Sequence, residues 1–514
     1  MGRMGMSKVE ELAAVKEKIQ EGGGQTELDK QHGRGKLSAR ERIEYLFDKD
    51  SFIEVDSLVK LKSYGVAKAA AEGVITGYGT IEGRLSFIYS QDFTVLEGSL
   101  GEMHAQKICK IMDMAAKMGA PVIGIIDSNG ARIQEGIDAL AGYGEIFFKN
   151  TRLSGVVPQI SIILGPCAGC AAYSPALTDF TFMVNGISHM FLTGPQIIKA
   201  VTGEEISIEN LGGAQVHNSI SGAAHFISQN EKECLDKVKE LLGYLPSNNL
   251  ESPPLIKNND DLNRMVPEFD RFMPNDITEA YDMRDIIKRI VDEEKFLEVQ
   301  PYFAFNIITG YGRINGKTIG IVGNQPAKMG GCIDIDASDK SARFIRICDA
   351  FNIPVLTFVD AHGFLPGVKQ EQGGIIRHGA KMLYAYSQAT VPKVTLIVGK
   401  AYGGAYIAMG SKELGADIVY AWPGVKIAVM APEAAANIIF KEEIEESSDW
   451  EAARQEKIKE YSDEFASPYI AAEKGYVDDI ITPSESRQRL AAAFEMLQNK
   501  REAGLPKKHG NFPV

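Results

Sequence analysis

Basic residues are in short supply: 55 lysines and arginines face 68 aspartates and glutamates in 514 residues, a formal net charge of −13. Neutralising nucleic-acid phosphates needs a basic surface, so a general nucleic-acid binder is excluded, and any polyanionic ligand must meet a local cluster of cations. Cysteine is scarce and scattered, at positions 109, 167, 170, 234, 332 and 348. A chain this long has no need of disulfide staples, and the expected compartment is a reducing cytoplasm. No stretch approaches the roughly 18 uncharged apolar residues of a membrane span. Met1–Gly24 lacks the apolar core of a secretory leader and runs into a charged helical pattern over Val9–Ile19. Direct membrane insertion is not expected, although a membrane partner stays open.

The residues of metal and covalent chemistry are missing too. Cys167-x-x-Cys170 is a single pair with no second Cys or His pair at suitable spacing, so no metal site is expected. His104, His189 and His378 have no Ser or Cys at motif spacing, and no Gly-x-Ser-x-Gly elbow occurs. The chemistry expected is charge stabilisation without a covalent side-chain intermediate.

What the chain has is glycine and self-similarity. Thr76-Gly77-Tyr78-Gly79 returns as Thr309-Gly310-Tyr311-Gly312, an offset of 233 that also relates Lys107 to Lys340, Pro121-Val122 to Pro354-Val355 and Asp127 to Asp360. One step further, Gly165-x-x-x-Gly169-x-Ala171 meets Gly399-x-x-x-Gly403-x-Ala405, and Phe52–Asp56 is echoed by Phe296–Gln300. Registers shared by so many motifs imply two copies of one domain. Short β-rich runs (74–75, 85–88, 122–126, 160–164) alternate with helical stretches such as Glu102–Met118, the pattern of βα crossovers and a largely parallel sheet. The polar, proline-containing stretch Pro246–Asn275 is the expected linker, giving domains 1–265 and 266–514.

Each copy carries a small-residue turn after a buried strand. The first is Cys167-Ala168-Gly169-Cys170-Ala171 and the second Lys400-Ala401-Tyr402-Gly403-Gly404-Ala405. A strand, a tight elbow and a helix start aim unpaired amides at a ligand, and small residues let it approach, so each turn reads as an oxyanion hole. The alternative is glycine placed only for close helix–strand packing. Before each turn stand Asp127–Arg132 and Asp360–Gly367, at strand ends where α/β sheets bind ligands. Both aspartates read as strand-end caps rather than catalytic acids. Lys30–Lys36, followed by Arg40 and Arg42, reads either as a solvated basic loop or as a phosphate clamp near the capping box Ser38-x-x-Glu41.

Further motifs run through the chain in order: Gln91-Asp92-Phe93-Thr94, Ser99–His104, Gly130–Gly136, Asn324-Gln325-Pro326, Gly373–Lys381 and the terminal His509-Gly510-Asn511. With the two turns they resemble the carboxyltransferase subunit of biotin-dependent acyl-CoA carboxylases, the group of propionyl-CoA carboxylase β and methylmalonyl-CoA decarboxylase α subunits. The resemblance, from about Lys30 to the C-terminus, implies an α/β fold of two tandem crotonase-like (ClpP/crotonase) ββα-superhelix domains. It implies a carboxyl group moved between biotin on a carrier protein and the α-carbon of a short acyl-CoA, with no cofactor bound covalently by this chain. Amides of Gly169, Cys170 and Ala171 would hold the thioester enolate, and those of Gly404 and Ala405 the ureido oxygen of biotin. Lys30, Arg34, Lys36, Gly130, Ala131, Arg132, Tyr173 and Ile407 would bind the acyl-CoA. His362, Gly363, Phe364, Pro366, Gly367, Gly373, Gly374, Tyr402 and Gly403 would bind biotin. Implied partners are a biotin carboxyl carrier protein, a biotin carboxylase or a sodium-pumping membrane decarboxylase subunit, and further copies of the chain in a hexamer. The chain departs from the family's pattern at Asn129 and Cys170, where glycine is usual, at Ala361-His362, where a small residue and proline are usual, and at Gly399, where arginine is usual. Cys170 is expected to narrow or tilt the first hole if that position requires a positive φ. Two other readings remain: a biotin-independent crotonase-like hydrolase or isomerase, for which only Glu135 and Glu145 offer an acid or base, and a scaffold that only binds acyl-CoA or carrier.

Overall fold

A computed structural model describes residues 7–60, 70–272 and 281–514. The chain divides into two compact units, Met1–Glu251 and Ser252–Val514, a boundary that lies earlier than the sequence suggested. The expected linker is partly spent on the second unit: Ile256 donates its amide to Gly316 O, Asn258 donates to Asp292, and Val266 donates to Ser484 O. Pro274 and its neighbours lie outside the described residues.

The first unit holds one eight-stranded sheet: β1 (Ile53–Val55), β2 (Val74–Ile81), β3 (Arg84–Gln91), β4 (Val122–Ser128), β5 (Gln159–Ala168), β6 (Phe180–Val184), β7 (His189–Phe191) and β8 (Phe226–Ser228). The second holds β9 (Leu297–Val299), β10 (Ile307–Ile314), β11 (Lys317–Asn324), β12 (Val355–Ala361), β13 (Lys393–Tyr402), β14 (Ile418–Ala421), β15 (Lys426–Ala428) and β16 (Asp479–Ile480). The strand orders are β1-β2-β3-β4-β5-β6-β8, with β7 beside β5, and β9-β10-β11-β12-β13-β14-β16, with β15 beside β13. In both, an antiparallel hairpin opens the sheet and parallel strands follow, joined by helical crossovers.

Local chemistry explains the elements. The helix Glu102–Met118 buries Ile108, Ile111, Met112 and Ala115, spaced as one helical face, against Phe87, Tyr89 and Val122. It ends at Gly119, whose left-handed φ of 62° carries the amide that caps Ala115 O. Burying each such side chain contributes about 1.5–3 kcal/mol. The Thr-Gly-Tyr-Gly repeats lie within β2 and β10, and the first glycine of each makes room for an aromatic ring. A Cβ on Gly77 would stand 2.6 Å from the Phe52 ring, and one on Gly310 at 2.6 Å from the Phe296 ring. The paired lysines have a shared task. Lys107 Nζ donates to Ala71 O and Val74 O, and Lys340 Nζ to the carbonyls of Gln300, Phe303 and Ile307, so each ties its crossover helix to the loop that feeds the hairpin. Burial pushes the Lys107 ammonium down to about 8 and Lys340 down to about 7.

Candidate active site

Both glycine turns form at the C-terminal end of a central parallel strand. After β5 comes the tight helical turn Gly169–Ala172, and after β13 the helix Gly403–Ala408. The chain turns at a positive φ of 62° at Gly169 and 57° at Gly403, a conformation that costs an L-residue roughly 1–2 kcal/mol. The amides that follow, of Cys170 and Ala171 and of Gly404 and Ala405, open helical turns, so they have no acceptor within the helix, and no side chain caps either start. Neither Cys170 nor its counterpart Gly404 has a positive φ. The left-handed step falls on the glycine that both copies keep, and a cysteine side chain leaves the first turn's backbone as it would be with glycine. The positive φ on which the expected distortion by Cys170 depended is therefore absent at this position.

A second loop closes on each turn. Gly130 has a φ of 97°, and a Cβ there would stand 2.6 Å from Ala168 O, so Asn129–Ala131 packs on the residue before Gly169. In the second unit the His362 ring lies 6.1 Å from the Tyr402 ring, edge to face, and Phe364 sits 3.5 Å from where a Gly404 Cβ would be. The loops are built alike. Leu100 N donates to Gly130 O and Arg132 N to Leu100 O, while Ile333 N donates to Gly363 O and Leu365 N to Ile333 O. The geometry thus brings together Gly130, Ala131, Gly169, Cys170 and Ala171 in the first unit, and His362, Gly363, Phe364, Tyr402, Gly403, Gly404 and Ala405 in the second. Gly367, at a φ of 143°, starts the helix Val368–Gly373, and Gly374, at 96°, ends it, with Pro366 just before. Tyr173 and Ile407 are exposed on the short helices that follow the turns, Tyr173 edge-on to Phe147.

Two of the expected acyl-CoA cations are structural. Lys36 is 6% exposed and pairs with Asp127 at 2.7 Å, and burial holds its ammonium below the usual value even beside that carboxylate. Arg132 is buried between Glu72 at 2.9 Å and Glu135 at 2.6 Å and donates to Ser99 O. Neither presents a charge to solvent, because each is consumed by buried carboxylates. Lys30 and Arg34 do line a cleft of about 390 Å³ with Phe93, Thr94 and Glu97, where the Arg34 guanidinium stands 5.9 Å from the Phe93 ring centroid. Lys30 also pairs with Glu27 at 2.6 Å. Glu135 is committed to Arg132 and to the Glu102 amide at 2.7 Å, and Glu145 lies on a helix face 3.8 Å from Lys149.

Sequence reasoning missed the partners of the two strand-end aspartates. Asp127 accepts from Lys36, from Gln31 at 3.1 Å and from Arg42 at 2.9 Å, and Arg42 turns its other edge to Glu231 at 2.7 Å. Asp360 instead accepts from the Tyr281 hydroxyl at 2.8 Å and the Lys400 amide at 2.9 Å. Both carboxylates occupy the space over a glycine: a Cβ on Gly165 would strike Asp127 and one on Gly399 would strike Asp360. The signal for this was the recurrence of both residues in the second copy, the aspartate at an offset of 233 and the glycine at 234.

Fold and turns together present two matched sets of backbone N–H groups with no acceptor within their helices. Residues 30–512 match the family model described as a carboxyl transferase domain. The methylmalonyl-CoA decarboxylase subunit alpha of Propionigenium modestum is 58% identical over 99% of both chains. The putative propionyl-CoA carboxylase beta chain of Bacillus subtilis is 54% identical over 97% of this chain and 98% of its own. Among solved structures, transcarboxylase 12S, a hexamer assembly with methylmalonyl-coenzyme A and methylmalonic acid bound, superposes with a TM-score of 0.97 at 50% identity over 100% of both chains. The chain belongs to the carboxyl transferase family, and its units are two tandem crotonase-like domains. It is an acyl-CoA carboxyltransferase. Among the described residues no helix is long and apolar enough to cross a membrane.

Proposed function

We propose that this chain moves a carboxyl group between biotin on a carrier protein and the α-carbon of a short acyl-CoA, propionyl-CoA and methylmalonyl-CoA being the favoured pair. The observation that carries the reading is the matched pair of turns, each a left-handed glycine followed by helix-start amides with no intrahelical acceptor. Amides of Gly169–Ala171 hold the thioester oxygen as it gains enolate charge, with Gly130 and Ala131 beside them. Amides of Gly404 and Ala405 hold the ureido oxygen, and Phe364 and Tyr402 shield that side from water. Donors already aimed at developing charge contribute on the order of 10²–10³ in rate each. Biotin on the carrier supplies or accepts the carboxyl group and takes the α-proton, so no side-chain base is required. Lys30 and Arg34, which line one cleft with Phe93, suit the phosphates and base of coenzyme A. The hydrolase reading is weakened because Glu135 is committed to Arg132 and the Glu102 amide. Assembly is proposed as a hexamer in the cytoplasm.

Purified full-length chain, given a biotinylated carrier, biotin carboxylase, ATP, bicarbonate and propionyl-CoA, is expected to form methylmalonyl-CoA. Absence of turnover with every short acyl-CoA, in both directions, sinks the proposal. The decarboxylating direction, with a membrane subunit as partner, is favoured by the relative at 58% identity. Both directions share one transition state and one set of amides.

A further inference from the structure

Asn129 and His362 occupy equivalent positions, 233 residues apart, and so do Glu97 and Gly330. Each of the first pair reaches its partner in the second. Asn129 donates its backbone N to Glu97 O at 3.1 Å and its Nδ2 to Glu97 Oε2 at 2.6 Å. His362 Nδ1 lies 3.0 Å from Gly330 O. A carbonyl only accepts, so Nδ1 carries the hydrogen and, in the neutral ring, Nε2 is left as an acceptor. Both partners sit in left-handed turns, Glu97 at φ 55° and Gly330 at 59°. In the first copy the turn residue supplies a side chain to the contact. In the second a Cβ would stand 2.8 Å from His362 Nδ1, so the turn residue is glycine and the histidine spans the gap alone.

We propose that Asn129 and His362 are paired positioning residues, each fastening the loop beside its own hole to the preceding left-handed turn, so that each governs binding on one side of the site only. Both loops need such a clasp. Beyond it, each is bridged to the residue just before its crossover helix, Leu100 or Ile333, and in the first unit Arg132 adds a bond to Ser99 O. Each also presses on its turn, through Gly130 against Ala168 O and through Phe364 against Gly404. A loop that drifts by a fraction of an ångström moves the amides that meet the substrate oxygen. The proposal rests on the carboxyl-transfer reading for its assignment of sides.

The test uses the full-length chain with methylmalonyl-CoA as donor and free biotin as acceptor. His362→Leu is expected to raise KM for biotin about tenfold, the order of one lost hydrogen bond, and to leave KM for methylmalonyl-CoA within twofold. Asn129→Leu is expected to do the reverse. His362→Asn places an N–H about where Nδ1 stood, within reach of Gly330 O, and is expected to recover most of the loss. Equal movement of both KM values by either leucine variant overturns the proposal, as does an asparagine at 362 no better than leucine. Amide hydrogen exchange gives a readout independent of turnover. His362→Leu is expected to speed exchange at Leu365 severalfold and His362→Asn is not. An unaltered protein that turns nothing over sinks the carboxyl-transfer reading, and unchanged exchange at Leu365 in His362→Leu overturns the clasp.

Discussion

Asp127 and Asp360 end equivalent strands, lie over equivalent glycines and donate their own backbone N–H in the same way, to Gln91 Oε1 and Asn324 Oδ1. Their environments differ completely. Asp127 is embedded among Lys36, Arg42 and Gln31, whereas Asp360 meets a phenol and an amide. Two local differences account for this. The residue after the glycine is Lys400 in the second unit, which offers an N–H to Asp360, and Pro166 in the first, which has none. The helix Ala39–Leu46 starts from Ser38 as Met283–Ile290 starts from Asp282, and in that register Arg42 corresponds to the fully buried Ile286. A fold can therefore keep a strand-end carboxyl for its geometry while changing how its charge is met.

The first unit's ion cluster gives the largest expected effect. Arg42→Met leaves Asp127 and Glu231 buried with Lys36 as their cation, and removing one partner of a buried network costs roughly 3–5 kcal/mol. The urea midpoint at fixed protein concentration is expected to fall accordingly. Tyr281→Phe, the matching cut in the second unit, removes one hydrogen bond to a buried carboxyl, about 1–3 kcal/mol. Equal costs for the two variants would erase the distinction between a carboxylate met by direct ion pairs and one met by hydrogen bonds from a hydroxyl and an amide.

A pH series sharpens the same contrast. Burial raises the Asp360 carboxyl above its usual value, with the Lys400 amide and Tyr281 hydroxyl holding it back. The unfolded chain loses this proton first, at about 3.9. Below that pH both states are protonated and the site costs nothing. As pH climbs through the raised folded value the site becomes a net cost, fully present above it. Asp360→Asn is therefore expected to gain stability relative to the unaltered chain as pH rises from about 4 toward neutrality. Asp127→Asn is expected to lose stability at neutral pH, because two buried cations lose their counter-charge. A stability gain at neutral pH in Asp127→Asn, like that of Asp360→Asn, would contradict the asymmetry.

Much of this was legible in the residues. The duplication, the largely parallel sheet and the glycine turns follow from offsets and strand patterns, and the helix Glu102–Met118 ends where its apolar face and Gly119 say it must, whereas the antiparallel hairpin that opens each sheet was not foreseen. The Thr-Gly-Tyr-Gly repeat was visible, yet its purpose was not, because only packing reveals Phe52 and Phe296 over the glycines. The basic stretch was seen as one unit, while the fold splits it. Lys30 and Arg34 stay at a cleft, Arg40 pairs with Glu54 at 2.8 Å, and Lys36 and Arg42 turn inward. That division depends on Asp127 and Glu231, far away in sequence, and no local pattern encodes it. Arg132 misled for the same reason, since Glu72 arrives from a distant loop.

The smallest expected effect concerns Cys170, which stands where the other copy has Gly404. Were the left-handed step at this position, cysteine would be strained and glycine would relieve it. The step falls instead on Gly169 and Gly403, and Cys170 packs its side chain, partly buried, against the core beside Cys167 and Ala171. Cys170→Gly is therefore expected to leave kcat for carboxyl transfer within about twofold. It is also expected to lower stability by roughly 0.5–1 kcal/mol, since glycine frees the unfolded chain and surrenders a contact. Steady-state turnover and a urea titration on one preparation check both values. A rate that rises tenfold would mean the cysteine obstructs the acyl side after all.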